Sequence, residues 1–144
     1  MLSLLFNLIT DLTIGEVEVF FEGDSVTFRS KRRVESVALV FYVSAKRGGE
    51  DRVAVGEAPG VSGSFERINL LDGRLVNSED LDQHEIMEAF LRFGFRKLAN
   101  GRTFMRPRVV FCGVKMISKA LGGAERVVLS VAARKAGARE VIFK

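Results

Sequence analysis

From residue 17 to 30 the sequence "VEVFFEGDSVTFRS" sets two β-rich apolar runs on either side of a short polar break. The runs are joined by Glu22-Gly23-Asp24-Ser25, and glycine at so short a connection reaches positive φ without strain, so residues 17 to 29 are predicted to form a β-hairpin. From Glu35 to Ala45 the pattern becomes apolar and β-branched at successive positions, which predicts a single strand buried on both faces. "KRGGED" then reads as a loop, "RVAV" as a short strand, and residues 56 to 66, rich in Gly, Pro and Ser, as the longest irregular stretch.

The pattern then changes. Met87, Phe90, Leu91, Phe95 and Leu98 recur at helical spacing, Asp80 with Gln83 has the form of a capping box, and Asn100-Gly101 ends the run, predicting a helix over about 80–99. "RVVFCGV" (residues 108 to 114), led in by Pro107, is predicted to be a buried central strand. "GAERVVLSVAARKAGA" has helical composition, with Val128, Val131 and Ala132 on one face and Gly137 at the C′ position; "REVIFK" returns to strand. The order is three antiparallel strands, helix, strand, helix, strand. This is an α/β fold in which the last two strands, each reached through a helix, run parallel to the first in a mixed five-stranded sheet.

The 144 residues suit one domain (1–144), and a content of 47% apolar and 28% charged residues excludes disordered and fibrous classes. No apolar run approaches the roughly 20 residues that cross a bilayer, and no cleavable signal is apparent. One cysteine and one histidine exclude an internal disulfide and a Cys/His metal cluster, so a cytoplasmic location is expected. Cys112 as a nucleophile would need His84 as its base; a small core residue and a surface histidine are the simpler readings. The net charge of +4 admits anionic partners, but its densest cluster, "RSKRR" (Arg29 to Arg33), reads as a solvated loop without the aromatic residues that stack bases. Nucleic acid is therefore a disfavoured partner. A metal-dependent nuclease could use Asp11 with Glu85 or Glu88, but "RVVFCGV" supplies no third acid. "GEAPGVSGS" lacks the spacing of a phosphate loop.

The succession of elements is that of ribonuclease H-like domains, shared by ribonucleases H and the actin, chaperone and sugar-kinase superfamily. Within it, "NLITDLTI", "VESVALV", "DRVAVGEAP", "LLDGRLVNSEDL", "FMRPRVVFCGV" and above all "AERVVLSVAARKAGAREVIF" resemble, in order and spacing, the N-terminal subdomain of the bacterial actin MreB family. The resemblance implies an actin-like fold. In that family a turn of Asp-Leu-Gly-Thr character after the first strand holds the nucleotide phosphates on backbone amides. Here "DLTI" runs straight into "GEVEVFF", as though the turn were missing between Ile14 and Gly15, and the sequence stops at Lys144, before the position of the family's next catalytic carboxylate. The expectation is a truncated, nucleotide-incompetent relative with no catalytic residues, metal or other cofactor, acting on a full-length actin-like filament in cell-shape or division work. A self-associating structural or adaptor domain (a homo-oligomer) and a basic-surface nucleic-acid binder are the alternatives. MreB proteins also begin with an apolar stretch that contacts the cytoplasmic face of the inner membrane. Leu4, Leu5, Phe6, Leu8 and Ile9 are the corresponding candidates here for peripheral membrane or partner contact. A strand at residues 139–143 with no helix after it needs cover, from residues 56 to 72, a second copy or a partner.

Overall fold

The computed structural model describes residues 15–44, 53–60, 65–77, 81–100 and 106–144. Leu4, Leu5, Phe6, Leu8, Ile9 and Asp11, the loop at 46–51 and Asp80 lie outside these described residues.

The predicted hairpin is β1 (Glu16–Glu22) paired antiparallel with β2 (Ser25–Arg29), turning at Gly23 with φ of 60°. β3 (Val34–Ala38) continues the antiparallel ladder on β2. The single strand expected over Glu35 to Ala45 is instead two. Leu39 leaves the ladder, donating its N–H to Asp24 O and accepting at its carbonyl from Leu70 N. β4 (Val40–Ser44) then begins a second sheet, in the order β5-β4-β6, with β5 (Val53–Val55) and β6 (Phe65–Asn69) antiparallel on either side. Nor is the segment buried throughout, since Ser36 and Ala38 of β3 are exposed. The stretch expected to be irregular up to residue 66 gives way to β6 at Phe65, an element the sequence reading missed.

After 3-10 and α-helical turns over Leu70–Asn77 comes helix α1 (Gln83–Ala99). Its predicted stripe is buried, with Met87, Phe90, Leu91, Phe95 and Leu98 all 4% exposed or less. The helix starts later than the capping box placed it: the N-cap is Asp82, whose carboxylate accepts from His84 N–H at 2.8 Å. Asn100 closes it in the left-handed region, with its N–H on Arg96 O. β7 (Arg108–Cys112) lies between β1 and β8 (Glu140–Phe143), parallel to both, giving the order β3-β2-β1-β7-β8. That is the mixed five-stranded α/β sheet expected. Helix α2 (Glu125–Lys135) joins β7 to β8 and ends before Gly137, at φ of 110°.

Both helices pack on one face of the large sheet. Val17, Val19, Phe21, Val26, Phe28, Val37, Val109 and Phe111 meet the buried side of α1 and α2 there, and Phe41, Val55 and Ile68 of the small sheet join the same core. α2 buries Val128, Leu129, Ala132 and Ala133, whereas Val131 is exposed, so its inward stripe is rotated one position from the one expected. Cys112 is not a core residue either. Period-two alternation gives the helix face to Val109 and Phe111 and turns the half-buried Cys112 thiol to the opposite face, with Phe20, Val110 and Ile142. Charges ring that face: Arg108 reaches Glu16 at 3.9 Å and Glu140 at 3.1 Å, and Arg29 reaches Glu18 at 3.9 Å.

Candidate interaction surfaces

In open α/β sheets ligands bind beyond the carboxyl ends of the strands, where helices and turns diverge to leave a crevice. At that end of this sheet the chain closes on itself. β1 passes into β2 through Gly23 and Asp24 alone, with Glu22 opposite Ser25. Asp24 O is taken up by Leu39 N–H, and the exposed carboxylates of Glu22 and Asp24 put negative charge at the turn. Beside it β7 passes at its end into Gly113, in the left-handed region with φ of 71°. A Cβ there would lie 2.6 Å from Phe21 O, so the backbones of β1 and β7 are in direct contact where a ligand would enter. The strand parallel to β7 is Glu16–Glu22, so the turn that follows it is Glu22–Ser25; the junction of Ile14 with Gly15, where the sequence comparison placed a missing turn, is not covered by the described residues.

A groove of about 440 Å³ opens elsewhere, between α1 and the segment after β5. Ala58 and Pro59 form one wall, and Glu85, Arg92, Phe93 and Arg96 the other. Gly56 brings the two together: its φ is 78°, and a Cβ would meet Val37 Cγ1 at 2.6 Å and Phe93 at 3.1 Å. Some of the charges on this side are engaged within the fold. Arg92 donates to Glu88 at 3.0 Å and to the Lys135 carbonyl at 2.5 Å, and Lys97 sits 5.1 Å over the Phe93 ring.

The residues weighed from sequence are thus dispersed. Glu85 and Glu88 line the groove, His84 begins α1 and Cys112 ends β7; among the described residues no group of acids, histidines or cysteines could hold a metal ion. Residues 30–33 of "RSKRR" form the β2–β3 connection, whereas Arg29 ends β2. Ser30 Oγ accepts from Arg33 N–H, and Arg33 is bound to Glu35 at 2.6 Å. The exposed pair of Glu66 on β6 and Arg74 on the following helical turn holds the Glu66 carboxyl below the usual range, through the hydrogen bond and then the charge of Arg74. No described helix is long and apolar enough to cross a membrane. The sequence signalled the uncovered strand at β8 but not the small sheet: β6, with its exposed Glu66 and Arg67, carries two successive charged residues where a strand signal would be sought.

Sheet order, parallel β1-β7-β8 and helices in these positions define an α/β fold of the ribonuclease H-like, actin-like class. The chain is similar in structure to MreB 5 of Spiroplasma citri, solved bound to AMPPNP, with a TM-score of 0.56 at 14% sequence identity. The match covers 90% of this chain and 38% of that one, so the chain spans well under half of the actin-like protein it matches. No protein-family model and no curated protein matches the sequence.

Proposed function

We propose that this protein is a non-catalytic binding module on an actin-like scaffold, which engages the filament of a full-length actin-like protein in cell-shape or division work without binding nucleotide itself. The observation that carries the reading is the Glu22–Ser25 turn. In the actin-like family the corresponding connection must be long enough to wrap backbone amides around phosphates. Here two residues cross between the strands, one carbonyl is already used by Leu39, and two carboxylates repel an anion. The contact of Gly113 with Phe21 O supports the same conclusion from the β7 side. The fold retained around this closed end supports a surface role: an actin-like face can be kept by selection for contact with an actin-like polymer after the phosphate site is gone.

The test is co-sedimentation of the purified chain with the full-length MreB-type actin of the same organism, with and without ATP, alongside calorimetric titration of the chain with Mg-ATP. Saturable pelleting, or loss of polymer at substoichiometric chain, together with no heat of nucleotide binding, is expected. A chain that stays in the supernatant and leaves polymer unchanged removes the filament role, and micromolar ATP affinity removes the non-catalytic one.

A further inference from the structure

β8 closes the large sheet. Its inner side is bonded to β7, and among the described residues nothing pairs with its outer side. Of the segment 56 to 72, the strand Phe65–Asn69 is paired with β4 in the other sheet and not with β8. Lys144 N–H donates inward, to Phe111 O at 2.9 Å. Backbone groups of a strand change side at each residue, so Ile142 also turns its N–H and C=O toward β7 while Val141 and Phe143 present theirs at the open edge. β8, with the sequence EVIF, is short and carries Glu140 on one face, but it has no proline, bulge or inward charge, three of the devices that blunt an edge.

We infer that β8 pairs antiparallel with β8 of a second copy, about a two-fold axis through Ile142 that joins the two five-stranded sheets into one. A two-fold perpendicular to the sheet keeps each residue on its own face, so the choice lies among registers centred on Val141, Ile142 or Phe143. Centred on Ile142, Val141 of each copy opposes Phe143 of the other, and their outward N–H and C=O groups bond. Glu140 then opposes Lys144 of the mate, twice, on the same face. A register centred on Val141 sets Glu140 against Ile142, and one centred on Phe143 sets Lys144 against Ile142. Only the middle register matches opposite charges. It also extends a row already built, in which Glu16, Arg108 and Glu140 alternate across β1, β7 and β8 and Lys144 of the mate supplies the next positive charge. Two other edges lack this self-complementarity: β3 would oppose Glu35 to itself or to an apolar residue, and on β6 Glu66 is held by Arg74. This pairing is independent of the filament reading, and either can fail alone.

Sedimentation equilibrium over a concentration series at low salt tests it. A concentration-dependent dimer is expected. Val141→Pro should abolish it with an unchanged circular dichroism spectrum, because the N–H removed points outward and no bond to β7 is lost. Lys144→Glu and Glu140→Lys each turn both cross-strand charge pairs repulsive, and each alone should weaken the dimer roughly tenfold. Mixing these two variants pairs Glu with Lys at both positions again and should restore dimer at near wild-type affinity. A chain that is monomeric to its solubility limit, a V141P dimer as tight as wild type, or two variants that do not rescue one another would each overturn the pairing.

Discussion

Gly94 lies in the middle of α1, where glycine ordinarily weakens a helix, and an alanine there would be expected to stabilise by about 1 kcal/mol from propensity alone. The packing reverses the sign. A Cβ on Gly94 would stand 2.2 Å from both Cε2 and Cζ of Phe28 and 2.5 Å from Cδ2. The ring has no room to retreat. Phe28 is fully buried in the ladder of β2 between β1 and β3, and Phe95 meets it edge-on at 5.8 Å and 83°. Overpacking of this kind costs about 1–3 kcal/mol, and an overlap more than 1 Å inside ordinary contact belongs at the upper end. Gly94→Ala should therefore destabilise by about 2 kcal/mol net, lowering the melting temperature by roughly 4–8 °C for a chain of this size. Urea and thermal denaturation would measure it. Phe28→Leu, which costs stability on its own, should lose less in the G94A background, with a coupling of about 1 kcal/mol or more in the double-mutant cycle. A G94A protein as stable as wild type, or additive losses in the cycle, would refute the claim that this glycine is present to admit the ring.

Gly113→Ala meets both a left-handed backbone and the Phe21 carbonyl, and should cost about 2–3 kcal/mol in chemical denaturation; a loss under 1 kcal/mol would show that the β1–β7 contact relaxes easily. Asp82→Ala removes the α1 N-cap and should cost about 1 kcal/mol, whereas Asp82→Asn should recover most of it. The Glu66 carboxyl is depressed by Arg74, so the pair's contribution is present above the usual glutamate pKa and is lost as pH falls through the lower, folded value. Both side chains are exposed and open to salt screening. NMR titration should find Glu66 ionising at lower pH in the wild type than in Arg74→Ala, and superimposable curves would contradict the ion pair.

The large sheet was readable because its signals are local. The β-rich runs of β1 and β2, Gly23 at the turn, the α1 stripe and Gly137 after α2 each act within a few residues. The small sheet was not readable, because what divides the run from Glu35 to Ala45 is a pair of distant hydrogen bonds, from Leu39 to Asp24 and from Leu70 to Leu39. No property of Leu39 marks it as a break. The α1 cap was misplaced because two aspartates near the start, Asp80 and Asp82, satisfy the same rule, and only the helix itself chooses. Cys112 shows the limit of reading a short apolar run as wholly interior: a strand of five residues has two faces, and this one ends on the side away from both helices.

The one-residue passage between the sheets at Leu39 also bears on how such a chain can change over evolutionary time. A strand's faces alternate, so inserting or deleting one residue there would turn either β3 or β4 inside out and, at the same stroke, misalign the backbone groups that meet Asp24 and Leu70. The small sheet can lengthen, shorten or be remodelled through its own connections, but its point of attachment is frozen in length. In a structural alignment with longer chains of this fold, gaps should therefore collect on either side of Leu39 and never at it, which makes this position a fixed landmark from which such chains can be brought into register.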